Sequence, residues 1–274
     1  MAMSQIISAS RRTDIPAFHA PWLLDCLEKG QVTVKNPYNP RQQSLIDLSP
    51  DQVDAIVFWT KNPAPLLPHL GDIEKAGYRF YFQFTLNAYP LELEPGLPDL
   101  SERINSFCNL GEMLGASRVV WRYDPIILSN RTDADYHRTK FAELCGQIGG
   151  HTRRVMISLV DYYKKTRRNL RPLEKQGYQF DQDPDARDLL SDLARIAREH
   201  ELQIFSCTEE PNFSDLGIPP GACIDGELIR EVFGIERTWK KDPGQRKHCR
   251  CVASRDIGTF NTCRHGCPYC YAAS

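Results

Sequence analysis

Short apolar runs alternate with stretches of helical periodicity along most of this sequence, and the alternation limits the folds that the chain can adopt. A β-rich run that leads through a helix into another β-rich run is a βα unit, and repeated units of this kind build a parallel sheet. The candidate strands cover residues 5–8, 55–59, 78–84, 117–121, 154–159, 203–205 and 251–254. They predict an α/β fold, either a full or partial (β/α) barrel or, as the alternative, a doubly wound open sheet.

The helical segments and the chain length predict a single domain. Five helices are predicted over residues 16–29, 65–76, 100–114, 134–148 and 184–201. Residues 32–40 are expected to be extended and loop-like. The 274 residues can bury one sizeable core. We therefore expect one domain over residues 1–274, in which residues 207–274 form an irregular, cysteine-rich segment.

Polar residues follow the candidate strands at the points where the strands end. Examples are Thr60-Lys61-Asn62, Thr85-Leu86-Asn87 and Arg122-Tyr123-Asp124. Because the carboxyl ends of parallel strands meet at one face, these groups should gather there. Barrels of this type carry their active sites at that face.

The charge balance excludes a general electrostatic attraction of the whole molecule to nucleic acid or to anionic lipid. With 34 Lys and Arg residues against 35 Asp and Glu residues, the formal net charge is -1, so no overall field draws the molecule to nucleic acid or anionic lipid. No window approaches the roughly 18 apolar residues that a membrane-spanning helix needs. Arg11, Arg12 and Asp14 stand where a secretory signal would continue with apolar residues. We expect a soluble, cytoplasmic protein without a membrane partner.

Ten cysteines are many for a cytoplasmic protein of this length, and six of them lie from residue 223 onward. Clustered thiols in such a protein are typical of metal binding or catalysis rather than of disulfides. Cys26, Cys108 and Cys145 are isolated, which is typical of small buried hydrophobic residues. The clustering predicts a metal-binding region late in the sequence.

Cys263, Cys267 and Cys270 follow a C-x3-C-x2-C pattern. Three thiolates can bind three corners of an iron–sulfur cube and leave the fourth iron open to a substrate or cofactor. The alternative is a structural zinc site with four Cys or His ligands, which His265 or Cys251 could complete. Zinc ligands usually come as two separated pairs, so three thiols so close together favour the cluster.

The pattern resembles the cluster loop of radical S-adenosylmethionine (SAM) enzymes. Residues 261–272 are similar to the corresponding loop of spore photoproduct lyase and its relatives. Their later strand ends resemble Thr60-Lys61-Asn62, Phe84-Thr85-Leu86-Asn87 and Arg122-Tyr123-Asp124-Pro125. The resemblance implies that Cys263, Cys267 and Cys270 ligate a 4Fe-4S cluster, that SAM chelates the fourth iron, and that Tyr269 packs near the adenine.

The position of the loop departs from the pattern of that superfamily. In the ordinary radical SAM barrel the cysteine loop follows the first strand, whereas here it comes last. The resemblance therefore implies a circular permutation in which residues 251–254 form the first strand of the barrel. Termini that lie close together make such a rearrangement inexpensive. The chain is also similar to an uncharacterised bacterial family with a terminal cysteine loop of this kind.

The permuted alignment implies a set of contacts to SAM. Its candidates are Ser8 or Ser10, Lys61, Thr85 or Asn87, and Arg122. Lys61 suits the carboxylate of SAM, and Thr85 or Asn87 would flank its ribose or methionine portion. For Arg122, the alternative is a structural ion pair with Asp124.

Four further thiols provide enough ligands for a second metal site, either zinc or an additional iron–sulfur cluster. They are Cys207, Cys223, Cys249 and Cys251. Cys249 and Cys251 form a close C-x-C pair, whereas the other two lie farther away in the sequence. By analogy with related lyases, Cys207 is alternatively a catalytic residue that donates a hydrogen atom to a substrate radical.

We expect a radical SAM enzyme that cleaves SAM reductively and abstracts a hydrogen atom from an unidentified substrate, either a small molecule or a nucleic acid. A ferredoxin or flavodoxin is the expected electron donor. The competing expectation is a noncatalytic module, stabilised by zinc or an iron–sulfur cluster, that binds nucleic acid through the basic run at residues 164–171. Such a run is also typical of a solvated helical face.

Overall fold

Seven parallel strands form one sheet in the computed structural model, which describes residues 4–37, 39–210 and 212–272. The strands of these residues are β1 (Gln5–Ala9), β2 (Gln31–Asn36), β3 (Asn39–Asp47), β4 (Val53–Thr60), β5 (Phe80–Thr85), β6 (Val119–Ile126), β7 (Arg154–Leu159), β8 (Gln203–Ser206) and β9 (Arg255–Asp256). The sheet has the order β8-β7-β6-β5-β4-β1-β9, with every neighbouring pair parallel. Strands β2 and β3 form a separate antiparallel hairpin.

Helices connect most of the sheet strands, as the βα alternation predicts. The helices are α1 (Ile15–Phe18), α2 (Ala20–Glu28), α3 (Leu70–Lys75), α4 (Leu100–Leu114), α5 (Ala134–Ile148), α6 (Lys164–Glu174), α7 (Arg187–Glu199) and α8 (Gly226–Phe233). The molecule is therefore a mixed α/β protein built on a seven-stranded parallel sheet. None of the helices in the described ranges is long and apolar enough to cross a membrane.

Both faces of the sheet are buried, as parallel sheets require. On β5, Phe80, Phe82 and Phe84 point into the core that the connecting helices cover, whereas Tyr81 points to the opposite face. That opposite face is covered by α8 and by residues 223–252, which include Cys251. The irregular segment after β8 thus packs onto the sheet and does not extend away from it.

The long amphipathic helices follow the sequence prediction closely, but the shorter ones do not. Helices α4 and α5 have the predicted bounds of 100–114 and 134–148. The predicted helix over 16–29 is divided at His19, whose φ of -133° lies outside the helical range. Pro21 lies in the first turn of the new helix, where its missing N–H costs no hydrogen bond.

The prediction for the last strand is wrong by a few residues. Residues 251–254 pair instead with the preceding chain, because Asp242 N–H donates to Cys251 O and Ala253 N–H donates to Lys240 O, each at 2.9 Å. The strand that joins the sheet is β9, directly after them. Residues 32–40, expected to be loop-like, lie mostly in the β2–β3 hairpin, apart from Tyr38, which is outside the described residues.

Candidate metal centre at the carboxyl edge of the sheet

Strand β9 fixes the start of the terminal cysteine loop beside β1. The carboxylate of Asp256 accepts hydrogen bonds from the hydroxyls of Ser8, at 3.0 Å, and Ser10, at 2.7 Å. It also accepts one from the Arg11 N–H at 2.9 Å. Ser8 and Ser10, expected to contact SAM, therefore use their hydroxyls to hold β9 against β1.

The three cysteines of the terminal loop lie within electrostatic range of one another. Cys267 is buried, whereas Cys263 and Cys270 are half-buried. Burial is the main cause that raises the pKa of Cys267 to about 12, and Cys270 and Cys263 raise it further. Burial also raises the pKa of Cys263, with a smaller contribution from Cys270. The predicted cluster ligands are thus neighbours in space as well as in sequence.

These thiols do not form a ready site for one ion. Within residues 4–37, 39–210 and 212–272, no three His, Cys, Asp or Glu side chains are grouped so that they could hold a metal ion. A zinc ion needs its sulfur ligands at about 2.3 Å from one point, whereas an iron–sulfur cube binds its cysteines on separate irons. No metal site is therefore preformed among the described residues of the terminal loop, and the three cysteines stay a predicted cluster site.

His265 fastens the cysteine loop to two other parts of the chain. Its Nε2 lies 2.9 Å from Asp14 Oδ2, and its Nδ1 lies 3.2 Å from the carbonyl oxygen of Gly96. Asp14 also accepts a hydrogen bond from the Lys61 N–H at 2.7 Å. Both ring nitrogens of His265 are therefore engaged within the protein, which argues against its use as a fourth zinc ligand.

A buried carboxylate, Glu94, organises the charges behind the loop. It accepts hydrogen bonds from Lys61 Nζ at 2.8 Å, Arg103 Nη1 at 3.1 Å and the Tyr269 hydroxyl at 2.5 Å. Burial opposes the charged form of Glu94, but Lys61 and Arg103 outweigh it and hold the pKa below its ordinary value. Burial likewise opposes the charge on Lys61, but Glu94 and Cys267 raise the pKa of this lysine. A fixed cation therefore lies beside Cys267.

Tyr269 forms part of the wall of this site. Lys61 Nζ lies 5.5 Å from the centroid of its ring, and the ring of Tyr89 is 6.0 Å away in an edge-to-face arrangement. The hydroxyl of Tyr269 is occupied by Glu94. Lys61 Nζ also donates a hydrogen bond to that hydroxyl at 3.0 Å. Lys61 and Tyr269, two residues expected to contact SAM, therefore contact each other directly and share the Glu94 carboxylate.

The ends of β5 and β6 are joined by side chains that were also expected at the site. Asn87 bonds reciprocally with the backbone of Asp124, donating to its carbonyl at 3.1 Å and accepting from its N–H at 3.0 Å. Arg122 pairs with the carboxylate of Asp124, as the structural alternative predicts, and lies 5.0 Å above the Trp59 ring. Thr85 is half-buried and is the register partner of Arg122.

The second group of predicted ligands also comes together. Cys207 and Cys223 have their sulfurs 3.4 Å apart, and Arg122 Nη1 lies 2.6 Å from the sulfur of Cys223. Cys251 contacts Cys223 and Cys249. The structure therefore brings these four thiols together as a set of their own.

A family model described as a domain of unknown function, DUF1848, matches residues 6–272 of the chain. The chain belongs to the DUF1848 family. The match includes both sets of clustered cysteines and nearly all of the sheet. The description of the family assigns no activity, and a comparison with curated proteins found no match.

Some polar residues of this DUF1848 protein have roles that the sequence did not reveal. Glu94 lies between β5 and α4, where no periodic pattern marks it, and its role is visible only from its three donors. Glu209 accepts the Leu159 N–H at 2.9 Å, and burial raises its pKa to about 7. The only sequence feature that pointed to a role for Asp256 is its position just before the cysteine loop.

A cavity of about 440 Å³ lies away from this edge of the DUF1848 fold. Its walls include Gln83, Arg154, Phe205 and Trp239. None of the residues that the sequence analysis assigned to SAM or to metal is among those that line it. The cavity therefore gives no support to the predicted site.

Proposed function

We propose that this DUF1848 protein is a radical SAM enzyme whose cluster is held by Cys263, Cys267 and Cys270. The observation that carries the proposal is the location of the C-x3-C-x2-C loop. It follows the edge strand β9, which lies parallel to β1. In a barrel with a permuted chain, this is where the first βα loop would lie. A 4Fe-4S cluster with SAM on its open iron supplies reductive cleavage of SAM and the radical that starts hydrogen-atom abstraction.

The donor set fits such a cluster. Three thiols lie near one another in the loop, and one of them is buried next to the Lys61 ammonium. Lys61 offsets negative charge that thiolates bring into a buried place. The half-buried Cys263 and Cys270 leave one side of the loop open.

The strand order supports the finer fold assignment within this proposal. From β1 through β8 each sheet strand is added next to the previous one, and β9 lies on the far side of β1. A doubly wound sheet reverses its order at a switch point, whereas a barrel or partial barrel adds strands in one direction. We therefore favour a circularly permuted partial barrel.

The chain's own residues would then have three tasks. Glu94 keeps Lys61 charged and fixes its ammonium next to Cys267. Tyr269 and the buried Cys267 exclude water from the inner side of the loop. Thr85, at the end of β5, would orient SAM and the substrate.

The test is anaerobic purification followed by analysis of iron and sulfide, then paramagnetic resonance of the reduced protein with and without SAM. We expect iron and sulfide in the ratio of a 4Fe-4S cluster, a spectrum that changes on addition of SAM, and formation of 5′-deoxyadenosine with a low-potential reductant such as a ferredoxin or flavodoxin. Zinc in place of iron at these cysteines, or a spectrum indifferent to SAM, would sink the proposal.

Matched variants assign the activity to the loop. Cys267→Ala should abolish formation of 5′-deoxyadenosine and leave the far-ultraviolet circular dichroism unchanged. Cys108→Ser, at a half-buried position on α4, is the control and should retain the activity. Turnover retained in Cys267→Ala would remove the triad from the mechanism.

A second candidate is a nucleic-acid-binding role, favoured by helix α6. This helix carries five Lys and Arg residues against one Glu, and Lys165 Nζ lies 3.4 Å from the carbonyl oxygen of Tyr271 in the cysteine loop. A basic helix next to the site could contact phosphates. Salt-dependent binding of DNA or RNA that is lost in Lys165→Glu, in a protein without iron, would favour this role over the enzyme.

A further inference from the structure

The four thiols outside the terminal loop meet on the face of the sheet opposite the helices. Cys207 follows β8, Cys223 precedes α8, and Cys249 and Cys251 lie shortly before β9. Three of them are almost fully buried, with exposed fractions of 2% for Cys223, 6% for Cys249 and 3% for Cys251. Distant parts of an irregular segment thus converge at one buried point.

Their sulfurs form a connected chain of contacts. Cys223 lies between Cys207, whose sulfur is 3.4 Å from its own, and Cys251. Cys251 in turn contacts Cys249 and accepts a hydrogen bond from the Ile224 N–H at 3.4 Å. Four unpaired thiols in contact are unusual for an ordinary apolar core, where a lone cysteine is a small hydrophobic residue.

A buried cation lies against this group of thiols. Arg122 Nη1 lies 2.6 Å from the sulfur of Cys223. A guanidinium can only donate hydrogen bonds, so this sulfur acts as the acceptor. The same guanidinium is held by Asp124, which fixes its direction. A buried cation aimed at a group of thiols is suited to metal ligands, which bind as thiolates.

The spacing distinguishes a single ion from a cube. In a tetrahedral zinc site with Zn–S bonds of about 2.3 Å, neighbouring sulfurs lie about 3.8 Å apart. The 3.4 Å separation of the Cys207 and Cys223 sulfurs is close to that value. Cysteines on separate irons of a cube would be farther apart than sulfurs in direct contact.

We propose that Cys207, Cys223, Cys249 and Cys251 form a structural zinc site that fastens the segment after β8 to the sheet. The sulfurs are connected as a chain and are not yet grouped as a set that could hold an ion, so binding requires Cys207 and Cys249, at its two ends, to turn toward the middle pair. The zinc would add a cross-link to the apolar contacts through which this segment already packs onto the sheet. The site does not depend on the proposed radical SAM activity.

The first test uses a background in which Cys263, Cys267 and Cys270 are all changed to Ser. Loss of a terminal cluster then cannot be confused with loss of the second site. This protein is expected to retain about one zinc ion per chain. Adding Cys223→Ser and Cys251→Ser should remove it, whereas adding Cys108→Ser should not. Iron with sulfide in place of zinc, or no bound metal, would overturn the proposal.

Cobalt tests the coordination directly. Co²⁺ added to the zinc-depleted background protein should give thiolate-to-metal charge-transfer bands and the visible bands of a tetrahedral ion, saturating at about one equivalent. Addition of Zn²⁺ should abolish them. Titration without charge-transfer bands would contradict a tetrathiolate site.

Alkylation provides a readout that needs no substitution at the four ligands. In the same background, zinc should protect these thiols from iodoacetamide, and a chelator should expose them, as measured residue by residue by mass spectrometry. The isolated buried Cys26 and Cys145 are internal controls whose labelling should not respond to the chelator. Protection that is independent of zinc, or a disulfide between Cys207 and Cys223, would overturn the assignment.

Discussion

At the scale of single residues, Glu94 is the carboxylate on which the cysteine loop depends most. It is 2% exposed and forms ion pairs with two cations, Lys61 and Arg103. Glu94→Gln leaves both cations without their partner in a buried place. We expect a loss of about 3–5 kcal/mol in the free energy of unfolding, measured by denaturant titration.

A matched carboxyl-to-amide change separates this effect from a general loss of charge. Asp72→Asn removes an ion pair with Lys75 that lies on the surface, where such pairs contribute little. Its unfolding midpoint should equal that of the parent protein. Equal midpoints for Glu94→Gln and Asp72→Asn would refute the central role of Glu94.

His137 predicts a pH dependence of stability that is independent of the cysteines. Its Nε2 lies 3.0 Å from the carbonyl oxygen of Ile127, and its Nδ1 lies 2.7 Å from the Tyr123 hydroxyl. A carbonyl only accepts, so Nε2 carries the proton and Nδ1 accepts from the tyrosine. Burial lowers the pKa of His137 to about 4.

The sign follows from that lowered pKa. The folded state favours the neutral imidazole. The stabilisation that neutral His137 gives to the folded state is therefore complete above the ordinary histidine pKa of about 6.5. It falls as the pH drops from there to about 4, by about 3 kcal/mol in all. His137→Gln should reduce the dependence of the unfolding free energy on pH in this window. Identical profiles for His137→Gln and the parent would contradict the prediction.

At the scale of elements, the close approach of two loops makes Gly96 necessary. A Cβ on Gly96 would lie 2.7 Å from the carbonyl oxygen of His265, and its N–H donates to that same oxygen at 2.9 Å. Gly96→Ala should therefore push the cysteine loop outward, at a cost of about 1–3 kcal/mol. Faster hydrogen exchange over residues 257–272 is the expected sign.

Gly71 is the matched control for this substitution. A Cβ there meets nothing within 4 Å, and the residue lies in helix α3. Gly71→Ala should stabilise the protein by about 0.5–1 kcal/mol, since alanine has the higher helix propensity. Exchange over residues 257–272 should stay at the parent rate, and a similar acceleration in both variants would exclude a specific contact at Gly96.

The periodic pattern of apolar residues predicted the long helices, in which residues close in the sequence form the helix. Helices α4 and α5 repeat an apolar face over 15 residues each and have the predicted bounds. Strand β9 has two residues, and its place depends on Asp256 meeting Ser8, 248 positions away. A local sequence pattern contains no information about such a distant contact. The pattern therefore predicts the strand at residues 251–254, just before its true position.

The sequence indicated several side chains of the candidate site but not the carboxylate that binds them. The cysteines were identified from their spacing, Tyr269 from the resemblance of its loop and Lys61 from the resemblance of a strand end. Lys61 and Tyr269 are in contact in the structure. Glu94, which connects Lys61 to Tyr269, comes from a loop without any pattern. Residue type and spacing indicate which groups carry chemistry, whereas the groups that neutralise them depend on the folded chain.

At the scale of the whole molecule, the fold predicts that the proposed permutation can be reversed. A chain that runs from residue 254 to 272, through a flexible linker of about 10 residues, and then from residue 4 to 253 would restore the cysteine loop to a position before β1. We expect it to fold with the same far-ultraviolet circular dichroism and an unfolding midpoint within a few degrees of the parent. The control is the parent order with the same linker appended.

An insoluble rearranged chain alongside a soluble control would refute this prediction. It would mean that residues 251–254 need a continuous connection to β9, beyond their hydrogen bonds to residues 240–242. Retention of the fold would show that the parallel pairing of β9 with β1 is sufficient to locate the loop.

The long separation between β1 and β9 also has a consequence for the order of events in the cell. Ser8 leaves the ribosome 248 residues before Asp256, which at about 5–20 residues per second is roughly 10–50 s. During that time the edge of β1 has no partner on this side, and the thiols of residues 263–270 have not been made. The terminal loop can thus reach its place beside β1 only after nearly all of this chain has been synthesised, when the rest of the sheet is available to receive it.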